Sequence, residues 1–99
     1  MEEKIFAKLG RAAVLEHLAE EAAEVAHAAL KMARIIRGEN PTPKTHIEAI
    51  ADLEEELADF RVCVEVLERS DIIFGIELMN KLSEVKMKRW LDRLENMRG

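Results

Sequence analysis

Residues 11–37 read RAAVLEHLAEEAAEVAHAALKMARIIR, an alanine-rich segment with no proline or glycine. Its larger apolar residues recur at the spacing of one helix face: Leu18, Val25, Met32 and Ile36. Gly10 separates this segment from a short helical piece at residues 3–9, and Gly38 followed by two prolines ends it. The sequence therefore predicts a long amphipathic helix, followed by a loop at residues 38–44.

A second helix is predicted after this loop, and two starts compete for it. Thr45 followed by Glu48 three residues later has the pattern of a capping box, whereas Thr42 with Pro43 at the first helical position favours an earlier start. From either start the helix is predicted to run to about Arg69. Its apolar face collects six residues at helical spacing: Ile50, Leu53, Leu57, Phe60, Val64 and Leu67.

A third long helix is predicted at residues 72–97, with a break near Gly75. Its apolar residues lie on two faces, one with Leu78, Leu82 and Val85 and the other with Met87, Trp90, Leu91 and Leu94. Two apolar faces on one helix indicate contacts with more than one neighbour. We therefore expect one all-α domain over residues 1–99, a bundle of three long helices and a short N-terminal helix that a homodimer or homotetramer completes.

The composition argues against several classes of function. A net charge of −5 and an isoelectric point near 5.2 are unfavourable for non-specific binding to nucleic acid, which requires a basic surface. No apolar run has transmembrane length, and residues 1–10 lack the apolar core of a signal peptide. The single cysteine, Cys63, excludes an intrachain disulfide and is typical of a reducing compartment. We expect a cytoplasmic protein that binds neither nucleic acid nor membrane.

Two acidic motifs lie at helical spacing without nearby cations, EExxE at residues 20–24 and ExxD at residues 56–59. Their acids are Glu20, Glu21, Glu24, Glu56 and Asp59. Lys and Arg are absent from residues 12–30 and 45–60, although residues three or four apart are the natural ion-pair partners on a helix. The like-charge pairs cost on the order of 1–2 kcal/mol in total. A bound divalent cation would remove this cost.

Carboxylates from two helices can form one metal site if the helices pack antiparallel across the loop. An all-oxygen ligand set suits Mg²⁺ and also Mn²⁺. Because Mg²⁺ takes one or two protein carboxylates and completes its shell with water and substrate phosphate, this many converging acids indicate more than one ion. The alternative is a solvated acidic face. Helix-dipole stabilisation, however, reaches only the first turn and does not account for Glu56 or Asp59 well inside a helix.

The two motifs and their surroundings resemble the MazG-like all-α nucleoside triphosphate pyrophosphohydrolases, whose hallmark is an EExxE helix followed by an ExxD helix. The stretches LAEEAAEV (residues 18–25) and EELADF (residues 55–60) both look like family sequence. The resemblance covers roughly residues 11–93, and the chain differs from the family's pattern in the proline-containing loop at residues 38–44.

The resemblance implies Mg²⁺-dependent hydrolysis of a nucleoside triphosphate to the monophosphate and pyrophosphate, as in the cleaning of nucleotide pools. It implies four metal ligands: Glu21, Glu24, Glu56 and Asp59. It also implies that Glu20 is a further ligand or orients the water that attacks the α-phosphorus, and that the protein is a homo-oligomer.

One face of the last helix is basic, since Lys86, Arg89 and Arg93 lie three or four residues apart. The stretch KMKR at residues 86–89 resembles the basic segment that the family places after its metal helices. We expect these three side chains to bind the substrate phosphates. The alternative is a soluble surface on which they pair with nearby acids such as Asp92.

Three other functions are alternatives to nucleoside triphosphate hydrolysis. Phosphoribosyl-ATP pyrophosphohydrolases are similar in size and motifs but typically carry a Tyr-His pair where Phe60 and Arg61 follow Asp59 here. A non-catalytic helical interaction module is a second alternative. A di-iron bundle is disfavoured, because Glu24 and His27 form a single Glu-x-x-His element and that site needs two.

Overall fold

The computed structural model describes residues 1–39 and 44–97. In these residues it contains four α-helices and no strand, which confirms the all-α prediction. The helices are α1 (Glu2–Leu9), α2 (Arg11–Arg37), α3 (His46–Arg69) and α4 (Ile76–Asn96). Among the described residues, no helix combines the length and apolarity needed to cross a bilayer.

Local hydrogen bonds determine the bounds of α2 and α3. Gly38 adopts a left-handed conformation with φ 73° and its N–H donates to the Ile35 carbonyl, which ends α2 where the sequence predicts. At the start of α3, the Glu48 N–H donates to Thr45 Oγ1 at 3.2 Å and the Thr45 N–H donates to Glu48 Oε1 at 3.1 Å. This capping box decides between the two predicted starts in favour of Thr45. The competing pair, Thr42 and Pro43, lies outside the described residues.

The prediction that the last helix begins near residue 72 is wrong, because a turn separates α3 from α4 and α4 begins at Ile76. Asp71 has a φ of 57° and Gly75 a φ of 121°, so neither residue continues a right-handed helix. A side chain at position 75 would also lie against Glu68, whose Oε2 accepts a hydrogen bond from the Ile76 N–H at 2.6 Å. The predicted break near Gly75 is confirmed, and Glu68 of α3 caps the N-terminus of α4.

Helices α1, α2 and α3 pack together around a small apolar core. Val14, Val66 and Leu67 form its buried centre. Four half-buried residues pack against them: Phe6, Leu18, Ile72 and Ile73. This core lies at the α1 end of the α2–α3 pair, so the opposite half of the pair contains few buried apolar side chains.

Helix α4 does not pack along α2 or α3, and all its residues are exposed. The radius of gyration is 17.1 Å, against about 13 Å for a compact chain of this length. The accessible surface is 8247 Å², whereas a folded monomer of this mass exposes about 5,700 Å². Trp90, on one of the two predicted apolar faces, is 62% exposed. A single copy therefore leaves roughly 2,500 Å² more surface in water than a compact monomer would.

Replacing Thr45 with Ala should lower the free energy of unfolding by about 1 kcal/mol, because the Glu48 N–H loses its side-chain acceptor. Urea denaturation of the variant, of wild type and of Thr45→Ser, which retains the hydroxyl, measures this difference. Equal midpoints for Thr45→Ala and wild type would show that the capping box does not stabilise the start of α3.

Candidate metal centre

The structure brings the two acidic motifs together across the α2–α3 interface. One carboxylate oxygen from each of Glu21, Glu56 and Asp59 lies within 4.8 Å of the others. Glu56 and Asp59 are three residues apart on α3 and so share a face, which Glu21 of α2 meets because the helices are antiparallel. Glu21 and Glu56 are half-buried and Asp59 is exposed. The three acids, called here the acid cluster, therefore belong to a partly desolvated groove between two helices.

The other two predicted acids lie at different positions. Glu24 is not part of the acid cluster but lies beside it. Its charge contributes to the raised pKa of Glu56, and its side chain lines the adjoining cavity. Glu20 lies apart, with a side chain that is 76% exposed and 3.7 Å from His17 Nδ1. The other ring nitrogen of His17 lies 3.7 Å from Glu21 Oε1, so this histidine lies close to both glutamates.

The electrostatic environment of the acid cluster is strongly negative. Burial raises the pKa of Glu56 above its usual value, and the charges of four neighbouring acids raise it further: Glu24, Asp59, Glu21 and Glu55. Burial likewise raises the pKa of the Cys63 thiol, with contributions from Glu21 and Asp59. In the described part of the chain, no Lys or Arg forms an ion pair with any of the acid cluster or with Glu24. Apart from His17 beside Glu21, the described residues therefore place no potentially cationic partner on these acids.

The donor set fits a hard divalent cation. Three carboxylates supply oxygen ligands of the kind that Mg²⁺ and Mn²⁺ prefer. Oxygens bound to one Mg²⁺ are at most about 4.2 Å apart, and the ligand oxygens of the acid cluster all lie within 4.8 Å of one another. The cluster alone would leave positions of the metal shell for water and for substrate oxygens.

A cavity of about 620 Å³ adjoins the acid cluster and extends toward the connection between α2 and α3. It is lined by acidic, basic and apolar residues of both helices and by Lys44, which precedes α3: Glu24, His27, Ala28, Leu30, Lys31, Arg34, Lys44, Ala49, Asp52, Glu55 and Glu56. Sequence reasoning missed Lys31, Arg34 and Lys44 as lining residues and treated Lys31 and Lys44 only as the limits of the cation-free segments. The spacing of Lys31 and Arg34, one turn apart and continuing the face of Glu24, was the available signal.

The predicted phosphate-binding residues of α4, Lys86, Arg89 and Arg93, line one surface pocket together with Asp92. Because α4 does not pack on α2 or α3, none of them reaches the acid cluster or the cavity within one copy of the chain.

Comparison of the chain with protein-family models, with curated proteins and with solved structures found no match.

In metal-free buffer at pH 7, Glu56→Gln should raise the melting temperature. The pKa of Glu56 is higher in the folded chain than its unfolded value of about 4.5. Above the folded pKa, ionisation of Glu56 therefore lowers the free energy of unfolding, whereas below pH 4.5 the group is protonated in both states and has no such effect. The gain should therefore shrink as the pH is lowered toward 4.5. Glu54→Gln, an exposed position on the same helix, is the control and should show little change. A lower melting temperature for Glu56→Gln at pH 7 would indicate a structural role for this carboxylate.

Proposed function

We propose that this chain is a Mg²⁺-dependent nucleoside triphosphate pyrophosphohydrolase, which releases a nucleoside monophosphate and pyrophosphate. The observation that carries the proposal is the acid cluster, which two helices contribute, which no Lys or Arg pairs with among the described residues, and which lies at the edge of a cavity. The cavity volume, about 620 Å³, lies within the range of about 300–1,000 Å³ typical of small-molecule sites. The EExxE and ExxD motifs that supply the cluster are those of the MazG-like family that the sequence resembles.

The proposed reaction cleaves the bond between the α-phosphorus and the oxygen that bridges to the β-phosphate. A water oxygen bonds to the α-phosphorus, and pyrophosphate leaves with the bridging oxygen. Bound Mg²⁺ would lower the pKa of this water and screen the charge on the phosphate oxygens. Glu21, Glu56 and Asp59 would hold the metal. Glu24, which lines the cavity beside them, would accept a hydrogen bond from the water and take up its proton.

We also propose that α4 is covered by a second copy of the chain. A stable interface buries about 800 Å² on each partner, and this chain exposes roughly 2,500 Å² beyond the expectation for a compact monomer. Both apolar faces of α4 contribute to that excess, with Leu82 46% and Leu91 54% exposed. The same exposed helix favours the alternative of a non-catalytic interaction module, which would not require the acid cluster.

Light scattering coupled to size exclusion should show a mass above that of one chain for the wild type. Leu82→Glu should shift the protein toward the monomer, because it places a charge in an apolar contact. Lys88→Glu places the same side chain on the polar flank of α4, and that variant should retain the wild-type mass. A monomeric wild type would contradict the proposed assembly.

Asp59→Asn should lower kcat/KM for the accepted triphosphate by at least about 100-fold, because it removes a charged metal ligand. The assay incubates the protein with a panel of standard, deoxy and modified triphosphates and with phosphoribosyl-ATP, and then separates monophosphate, pyrophosphate and orthophosphate. Chelator should abolish turnover, whereas Glu54→Gln should leave it unchanged. Absence of turnover on the whole panel, or undiminished activity of Asp59→Asn, would contradict the proposal and favour the interaction module.

A further inference from the structure

The cavity beside the acid cluster has ends of opposite charge. Glu24 and Glu56 border the end next to the cluster. Lys31 and Arg34 border the opposite end. They follow Glu24 on α2 by seven and ten residues, which is about 10 and 15 Å by the rise of an α-helix. A ligand that fills this cavity therefore meets carboxylates, or the metal they hold, at one end and cations at the other.

The cationic end is not neutralised by the chain. Lys31 and Arg34 are both half-buried, and in residues 1–39 and 44–97 neither forms an ion pair. Lys44, across the groove, pairs with Asp52, which also raises the pKa of the lysine. The positive charge available to a ligand therefore comes from Lys31 and Arg34. A partly buried cation without a counter-ion loses hydration and gains nothing in return, so an anion at this end would be stabilising.

The direction of α2 favours contact between these cations and a group held at the acid cluster. Side chains on an α-helix lean toward its N-terminus, and for Lys31 and Arg34 that direction leads back toward Glu24. The two residues are one turn apart on the same face. A guanidinium forms paired hydrogen bonds with phosphate oxygens, and an ammonium adds a compact charge.

We propose that Lys31 and Arg34 bind the terminal phosphates of the substrate, the part that leaves as pyrophosphate. This assignment depends on the proposed function, in which the acid cluster holds the α-phosphate end through metal. The triphosphate then extends along the groove from the acid cluster to the cations. The site therefore selects for phosphate units beyond the α-phosphate, and a nucleoside triphosphate is preferred over a monophosphate ester.

The test combines binding and kinetics on the double variant Lys31→Gln/Arg34→Gln. Its matched control is Lys4→Gln/Lys8→Gln, which removes two exposed cations from α1. Calorimetry with inorganic pyrophosphate in metal-free buffer measures the cationic end alone, since the acid cluster repels the anion. We expect at least a tenfold weaker affinity for the Lys31→Gln/Arg34→Gln variant and no change for the control. Arg34→Lys, which retains the charge, should bind more tightly than Arg34→Gln.

Steady-state kinetics distinguishes a role of these two residues in substrate binding from a purely structural role. Removing contacts that hold substrate and transition state equally raises KM without lowering kcat, so KM for the triphosphate should rise at least tenfold in the double variant. Equal pyrophosphate affinity in wild type and double variant would overturn the proposal. A wild type that binds pyrophosphate through these residues but hydrolyses no triphosphate would contradict the proposed function and leave the anion site supported.

Discussion

The packing of α2 against α3 is the constraint on which the site and the cavity both depend. It places Glu21 opposite Glu56 and Asp59 and half-buries two of the three carboxylates. Like charges held this close are destabilising, and burial together with these neighbouring charges raises the pKa of Glu56. The apolar core at Val14 and Leu67 must therefore stabilise the helix pair against this repulsion. A divalent cation at the acid cluster would convert the repulsion into attraction.

The charges along the helix pair are separated in space. The apolar core lies near α1, the acid cluster follows it, and the cationic end of the cavity lies nearest the connection between the two helices. A triphosphate that carries a metal ion at one end would match this order of charge. The metal ion would lie at the acid cluster, and the phosphate oxygens without metal would lie at the cationic end of the cavity. In the proposed function, recognition of the triphosphate would depend on the order of charges along the two helices, and it would not require a loop that wraps around the phosphates.

The sequence predicts local features of this chain well, and it predicts tertiary ones less well. The bounds of α2 and the two acidic motifs depend on neighbours within one helical turn, so the sequence alone reveals them. The capping box at Thr45 is one of two starts that the sequence allows for α3, and the structure decides for it. The start of α4 depends on a contact between Glu68 and Ile76, which no local pattern reports. Which of Glu20 and Glu21 faces α3 likewise depends on how α2 is rotated about its axis against α3. Lys31 and Arg34 become lining residues only when the two helices pack.

The proposed metal centre of Glu21, Glu56 and Asp59 can be tested directly in solution. The most direct measurement is a Mn²⁺ titration followed by paramagnetic broadening of backbone amide signals in the labelled protein. We predict that broadening at low Mn²⁺ concentration is confined to the turns of α2 and α3 around these three residues, and that excess Mg²⁺ reverses it. Broadening spread evenly over the acidic surface, or centred on exposed acids such as Glu77 of α4, would contradict the account.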